Sequence, residues 1–340
     1  VSLDSKFLSY FFSQTAIASP CWKYGLVDRS SSLEELWEVV NKLFGKDELA
    51  RLAKIAELAR EKSEKEKVYS IDYYNPDYPN LLKEIYHPPL VLYYRGNLSV
   101  LQKNLLAVVG TRNPSPVAIA ACDALPQYLS HSRDSGVVSG LAVGIDRRAM
   151  EACLQSNQPV VGVMGTGFDK SYPVCNRDLY EAMTTHPNAL ILTEMYWGET
   201  VGKWSFPRRN RIITGLSKTV FIMESPLDSG AMSSASHAIS QNREIIVFDD
   251  PSLLKNEGGR KLISEGAQSI SLKDLTGAGN QIVHVSELFP FQYQKMGEYL
   301  GFISRLELEG LLIDRGGGYY EFKNKEQAFS TNSLLFPSEN

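Results

Sequence analysis

From residue 105 onward, short apolar runs alternate with stretches of helical character. The runs at 105–109, 137–139, 160–164, 190–193, 220–223 and 245–248 are rich in β-branched residues and show no polar alternation. Strands buried on both faces of a helix-covered parallel sheet have this pattern. A seventh run, 268–271, closes the series. Between the runs, 116–129, 146–155, 176–184, 210–217, 233–241 and 260–265 read as helices. Strand and helix alternating at this pitch predict a doubly wound α/β domain over 105–275 with a mostly parallel sheet.

The flanks differ. Residues 1–72 read as helical. Ser32-Leu33-Glu34-Glu35 is a capping-box-like start followed by Leu33, Leu36, Val39, Val40 and Leu43 at helical spacing. A second helix follows over 47–65, and its charged end, 60–67, reads as a solvated tail. Residues 73–104 carry proline-rich turn signals and one short strand, 90–94, before Gly96-Asn97, and read as an extended connecting layer. Glycine and polar residues mark 275–285 as a linker. Beyond it, 302–310 reads as a helix and 311–322 as strand, turn and strand, with a disordered tail from Lys323.

Composition narrows the functional classes. At 43% hydrophobic and 22% charged, the 340 residues are expected to bury a core, and at about 100–200 residues per domain they allow two. A net charge of −4 excludes coating of nucleic acid or membrane by bulk charge, so any anion site must be a local excess of Lys and Arg. Cys21, Cys122, Cys153 and Cys175 lie far apart with no C-x-x-C pair, which suits reduced thiols in cytosol and argues against a disulfide framework or a zinc site. Five scattered histidines give no metal motif, and no apolar run reaches the ~18 residues of a membrane span. The expectation is a soluble cytoplasmic protein without metal or cofactor.

In open parallel sheets, ligands gather at the carboxyl ends of the strands. Following the predicted strands are Gly110-Thr111-Arg112, Ser139-Gly140, Gly165-Thr166-Gly167, Glu194 with a long loop to Arg209, and Ser225 to Gly230. Glycines there allow close backbone approach, and the following helix offers free N–H groups to a phosphate. Neither a P-loop nor a complete dinucleotide fingerprint is present, so ATP hydrolysis has no support. The sharpest signal is 200–218, which has five basic residues (Lys203, Arg208, Arg209, Arg211, Lys218), no acidic one, and Trp204 and Phe206 interleaved. Cations track a phosphate backbone while rings stack on unpaired bases. Arg112 and Lys170 add charge from neighbouring loops on the same rim.

Nucleophilic chemistry finds little footing. No G-x-S-x-G elbow occurs, and His237 reads as a packed or surface histidine. Glu194 and Glu224, taken to end neighbouring strands, suit orientation of loops or arginines better than acid–base work. Asp146 reads as a helix cap and a charge partner for a nearby arginine. The alternative function is a nucleotide-processing Rossmann enzyme of phosphoribohydrolase type, although its P-G-G-x-G-T string is missing.

Read together, Gly110-Thr111-Arg112, Ser139-Gly140-Leu141-Ala142-Val143-Gly144-Ile145-Asp146, Gly165-Thr166-Gly167 with Tyr172-Pro173 and Asn176, Phe206-Pro207-Arg208-Arg209-Asn210-Arg211, Ser229-Gly230 and Glu257-Gly258-Gly259 resemble the DprA/Smf DNA-processing family over about 76–275. The resemblance implies a Rossmann-like core that binds single-stranded DNA, forms a homodimer and loads the recombinase RecA in natural transformation, with no turnover. It implies Arg112 and Lys203 on phosphates and Phe206 on a base. Arg209, Asn210 and Arg211 would shape the pocket floor, and Gly140, Gly165, Gly167 and Gly230 would give close approach. Thr111, Ser139, Lys170, Arg208 and Ser229 complete the candidate set. The chain departs from the family at Met150, where histidine is usual, at Asp249-Asp250, and at Ala231-Met232-Ser233-Ser234. The N-terminal helices match a helical SAM-like domain in position, and 285–325 resembles part of a winged-helix module. Its helix bears Glu307 and Glu309, which oppose a DNA backbone.

Overall fold

The computed structural model describes residues 5–130, 134–276, 281–284, 303–304, 307–308, 312–316 and 319–322. All seven apolar runs form strands: β3 (Asn104–Val109), β4 (Ser135–Ser139), β5 (Val160–Val163), β6 (Ala189–Thr193), β7 (Thr219–Ile222), β8 (Glu244–Phe248) and β9 (Gln268–Ile270). Two earlier strands, β1 (Tyr69–Asp72) and β2 (Val91–Gly96), join the same sheet. The order is β1-β2-β6-β5-β4-β3-β7-β8-β9, with β3 to β9 parallel, β2 antiparallel to β6 and β1 antiparallel to β2. Residues 73–104 therefore do more than connect, because β2 extends the sheet.

Alternate residues of each strand enter two cores. Leu106, Val108, Val137, Val160, Ile191 and Phe221 pack on one face against α6 (Pro116–Ser130), α7 (Ile145–Gln155) and α8 (Arg177–Thr185). Ala107, Val109, Val138, Val161, Leu192 and Val220 pack on the other face against α9 (Ser205–Gly215), α10 (Gly230–Ser240) and α11 (Glu257–Ser264). A third core joins β2 to four N-terminal helices at Ser5–Phe12, Thr15–Lys23, Leu33–Leu43 and Lys46–Lys65. The Ser32 hydroxyl caps the third of these at Glu35 N–H, and the Glu35 carboxylate reaches back to Ser31 rather than to Ser32.

Winding outward from β3 to β6 and returning to β7 puts the switch point between β3 and β7. Ser217 fastens this junction from below. Its fully buried hydroxyl donates to Leu105 O (2.7 Å) and accepts from Ala107 N–H (3.1 Å). Ser217→Ala strands both strand groups, so its urea midpoint should report a loss of about 1–2 kcal/mol.

Residues read as a linker include a strand, β10 (Gln281–His284), which joins β11 (Leu312–Gly316) and β12 (Tyr319–Phe322) in an antiparallel sheet ordered β10-β12-β11. The predicted helix at 302–310 and the tail from Lys323 lie largely outside the described residues. Among the described residues no helix is long and apolar enough to cross a membrane.

Candidate nucleic-acid interface

Above the carboxyl ends of β3, β4 and β7 lies a cleft of about 670 Å³. Val109 to Arg112 line it at the end of β3, Ala142 and Asp146 after β4, and Pro226, Asp228, Ser229 and Gly230 after β7. Lys203, Phe206, Arg209 and Asn210 arrive from the loop and helix between β6 and β7. A side pocket of about 80 Å³ opens under Arg112, Phe206 and Tyr172, with Gly140 and Arg209 among its lining residues.

Helical phase decides where the basic cluster goes. The helix begins at Ser205, five residues before the predicted start, because Pro207 falls in its first turn, where its missing N–H costs nothing. Residues in and around 200–218 therefore separate by face. Arg208 and Arg211, three apart, both turn to Glu194: Arg208 holds it through two bonds (3.0 and 3.1 Å), and Arg211 donates to the same carboxylate. Neither lines the cleft. Arg209 points inward. It is 7% exposed, bonds the carbonyls of Gly140 and Val163, and serves as floor rather than surface. Phe206 and Asn210, four apart, face the cleft with Lys203.

Arg209 and Asp146 close around Gly140. A Cβ there would meet the guanidinium and the carboxylate at 2.7 Å, so only glycine leaves room for the pair. Asp146 accepts from the amides of Gly140 (3.1 Å) and Ala142 (3.4 Å), which braces the loop before the helix instead of capping it. Burial raises the Asp146 carboxyl above its ordinary value, with Arg209 and these amides pulling down. Burial also lowers Arg209, opposed by Asp146. Both are interior charges that require each other.

Other candidates divide similarly. Gly165 forms the floor beneath Phe206, where a Cβ would lie 2.8 Å from the ring. Arg112 and Lys203 stand exposed at the lips, and among the described residues no carboxylate lies within ion-pair distance of either. Thr111 ties its loop through its backbone, N–H to Glu224 O (2.8 Å) and O from Ile145 N–H (3.2 Å). Gly110 lines the cleft, Gly230 opens α10 there, and Ser229 caps that helix at Met232 N–H. Ser139 is a correction: fully buried, its hydroxyl donates to Val108 O (2.6 Å) and cannot touch a ligand. Lys170 turns to Glu199 O (3.3 Å), and Gly167 backs onto Tyr196 O, both away from the cleft.

Glu194 and Glu224 do not end neighbouring strands, because β5, β4 and β3 separate β6 from β7. Glu224 accepts from Ser115 N–H (2.7 Å), so both carboxylates are engaged in holding loops or arginines. His237 packs against Pro207 O (3.2 Å). Met150, in α7, is fully buried in the core. Two cleft residues escaped the sequence reading. Tyr172, half exposed, brings its ring 5.1 Å from that of Phe206. Asp228 sets a carboxylate on the α10 lip. Tyr172 carried a signal, an aromatic residue just past a strand-end glycine pair, but Asp228 carried none.

Doubly wound sheet, switch-point cleft and exposed cations define a Rossmann-like α/β protein with an anion-receptive groove. The model of the DNA recombination-mediator protein A family matches residues 70–278, more than half the chain, and the chain belongs to that family. Protein Smf of Synechocystis is 41% identical over 201 residues, 58% of this chain and 50% of its own length. DNA processing protein DprA of Streptococcus pneumoniae is 36% identical over 196 residues, 57% of this chain and 68% of that protein. The chain thus spans about half the length of the Smf relative. The crystal structure of S. pneumoniae DprA covers 71% of this chain and 89% of that one at 31% identity, with a TM-score of 0.59. A structure of the Helicobacter pylori DNA processing protein A, concerned with its single-stranded DNA binding mode, covers 60% and 91% at 28% identity, with a TM-score of 0.54.

Proposed function

We propose that the switch-point cleft binds single-stranded DNA. The observation that carries this reading is the pair of exposed, unneutralised cations, Arg112 and Lys203, beside the Phe206 and Tyr172 rings. In this reading Arg112, Lys203 and the amides opening α10 hold phosphates, and a base lies on Phe206. The solved relative from H. pylori, concerned with strand binding, supports it. A duplex offers no free base face to the rings, which favours single strands.

Filter retention of a labelled oligothymidylate across a salt series tests it. Arg112→Ala and Lys203→Ala should each weaken retention about fivefold and reduce the log–log salt slope by about 0.7, the single-strand value per phosphate contact. Unchanged retention and slope in both variants would refute the assignment. Asp228 opposes phosphate, so its neutralisation should move affinity the other way.

Loading of RecA onto the bound strand and action as a homodimer belong to the same proposal. They rest on the family membership of residues 70–278. Strand exchange begun by RecA on oligonucleotide precoated with a single-strand-binding protein, with and without this chain, tests the first, and sedimentation tests the second.

A further inference from the structure

Asn176 follows Tyr172-Pro173 in the sequence, yet it lines neither the cleft nor its side pocket. Its side chain is fully buried and ties two walls of the site together. The amide Nδ2 donates to Leu141 O (3.0 Å), in the turn between β4 and α7. The Oδ1 accepts from Arg147 Nη1 (3.0 Å), and the same Nη1 donates to Asp178 (2.9 Å). Because a guanidinium can only donate, it fixes which end of the amide faces Leu141.

The residue held in this way is strained. Leu141 is fully buried at a φ of +58°, left-handed backbone that leucine rarely adopts and that persists only where its surroundings impose it. Here they do. Asp146 accepts from the amides on either side of it, Gly140 and Ala142, its side chain lies against Gly162, and Asn176 holds its carbonyl. The turn carries Ala142 and Val143 into the side-pocket wall that Tyr172 and Pro173 complete. On the Tyr172 side, Tyr180 of α8 donates its hydroxyl to Tyr172 O (2.9 Å), and Asn176 N–H donates to Pro173 O (3.1 Å). The Asn176 amide thus joins the strained turn to the segment whose ring stands 5.1 Å from that of Phe206.

We propose that Asn176 is a positioning residue for strand binding: by clasping the Leu141 turn to the Tyr172 segment, it sets the Tyr172 ring where it and Phe206 together receive a base. The proposal rests on the reading of the cleft as a single-strand site. Asn176 itself touches no part of the strand. Without the clasp the strained turn relaxes and Tyr172 loses its place, so binding weakens while the phosphate contacts stay intact.

Filter retention of oligothymidylate by the full chain, together with the quenching of a 2-aminopurine placed within the strand, tests the proposal. Asn176→Ala should weaken retention about fivefold at an unchanged salt slope, and should leave the 2-aminopurine less quenched at saturating protein. In a Tyr172→Ala background the same substitution should change neither reading, because the ring it positions is gone. Arg147→Met leaves the buried amide in place but unsteadied, so it carries the test if Asn176→Ala folds poorly. Its loss should be about twofold and should likewise vanish with Tyr172. Retention and quenching unchanged in the folded variant, or a loss undiminished in the Tyr172→Ala background, would overturn the proposal and leave the strand-binding reading standing. Failure of the unaltered chain to retain the oligonucleotide would overturn both.

Discussion

Arg209→Met should destabilise the protein by about 3–5 kcal/mol, the cost of leaving a buried carboxylate without its cation. Arg209 and Asp146 are both interior, and a Cβ on Gly140 would meet both of them. The variant also carries a pH signature whose sign is set by Asp146. Burial already raises that carboxyl, and Arg209 is the main influence lowering it. Without the arginine the folded value rises further, while the unfolded chain still titrates near ~3.9. Between those two values the folded state binds more protons than the unfolded state, so stability falls as pH rises through the window. The deficit of the variant against the unaltered chain should therefore be smaller at pH ~5 than at pH ~8 in urea midpoints. Arg209→Met/Asp146→Asn should recover part of the loss and abolish the pH dependence. A deficit that is the same at both pH values, or a double variant worse than the single, would show that Arg209 acts through packing alone.

The parallel sheet was legible because its central strands, β3 to β6, are buried on both faces. Unbroken apolar runs such as Leu105–Val109 read as buried strands at that length. β1 was not legible. Tyr69–Asp72 mixes exposed and buried positions at the sheet edge and directly follows a charged helix end, so it shows neither period. β10 was hidden in the same way by its glycine-rich approach. At the site, the sequence located the basic and aromatic cluster but not its division. A linear count treats Arg208, Arg209 and Arg211 as equivalent, whereas a helix turning 100° per residue sends them to Glu194, to the interior and to Glu194 again. That division depended on the helix starting at Ser205, and a proline two residues later hid the start. Ser139 misled for a related reason. The last residue of a buried strand points to one face or the other, and its hydroxyl went to the β3 backbone.

The same division predicts which ring matters for strand binding. Trp204 is the larger and more exposed aromatic in the basic stretch, but it lies beside Arg208, 5.9 Å from that guanidinium, and does not line the cleft. Phe206 lines both the cleft and its side pocket, rests over Gly165 and meets Tyr172. A base entering there gains a face already fixed by its neighbours, so little ordering entropy opposes stacking. At ~1–3 kcal/mol per stacked base, Phe206→Ala should lower oligothymidylate affinity about tenfold to a hundredfold, and Phe206→Tyr should retain most of it. Because a ring carries no charge, the salt slope should stay unchanged, unlike that of Arg112→Ala. Trp204→Ala should cost less than about threefold. A larger loss at Trp204 than at Phe206 would place the strand across the outer face of α9 and remove it from the cleft.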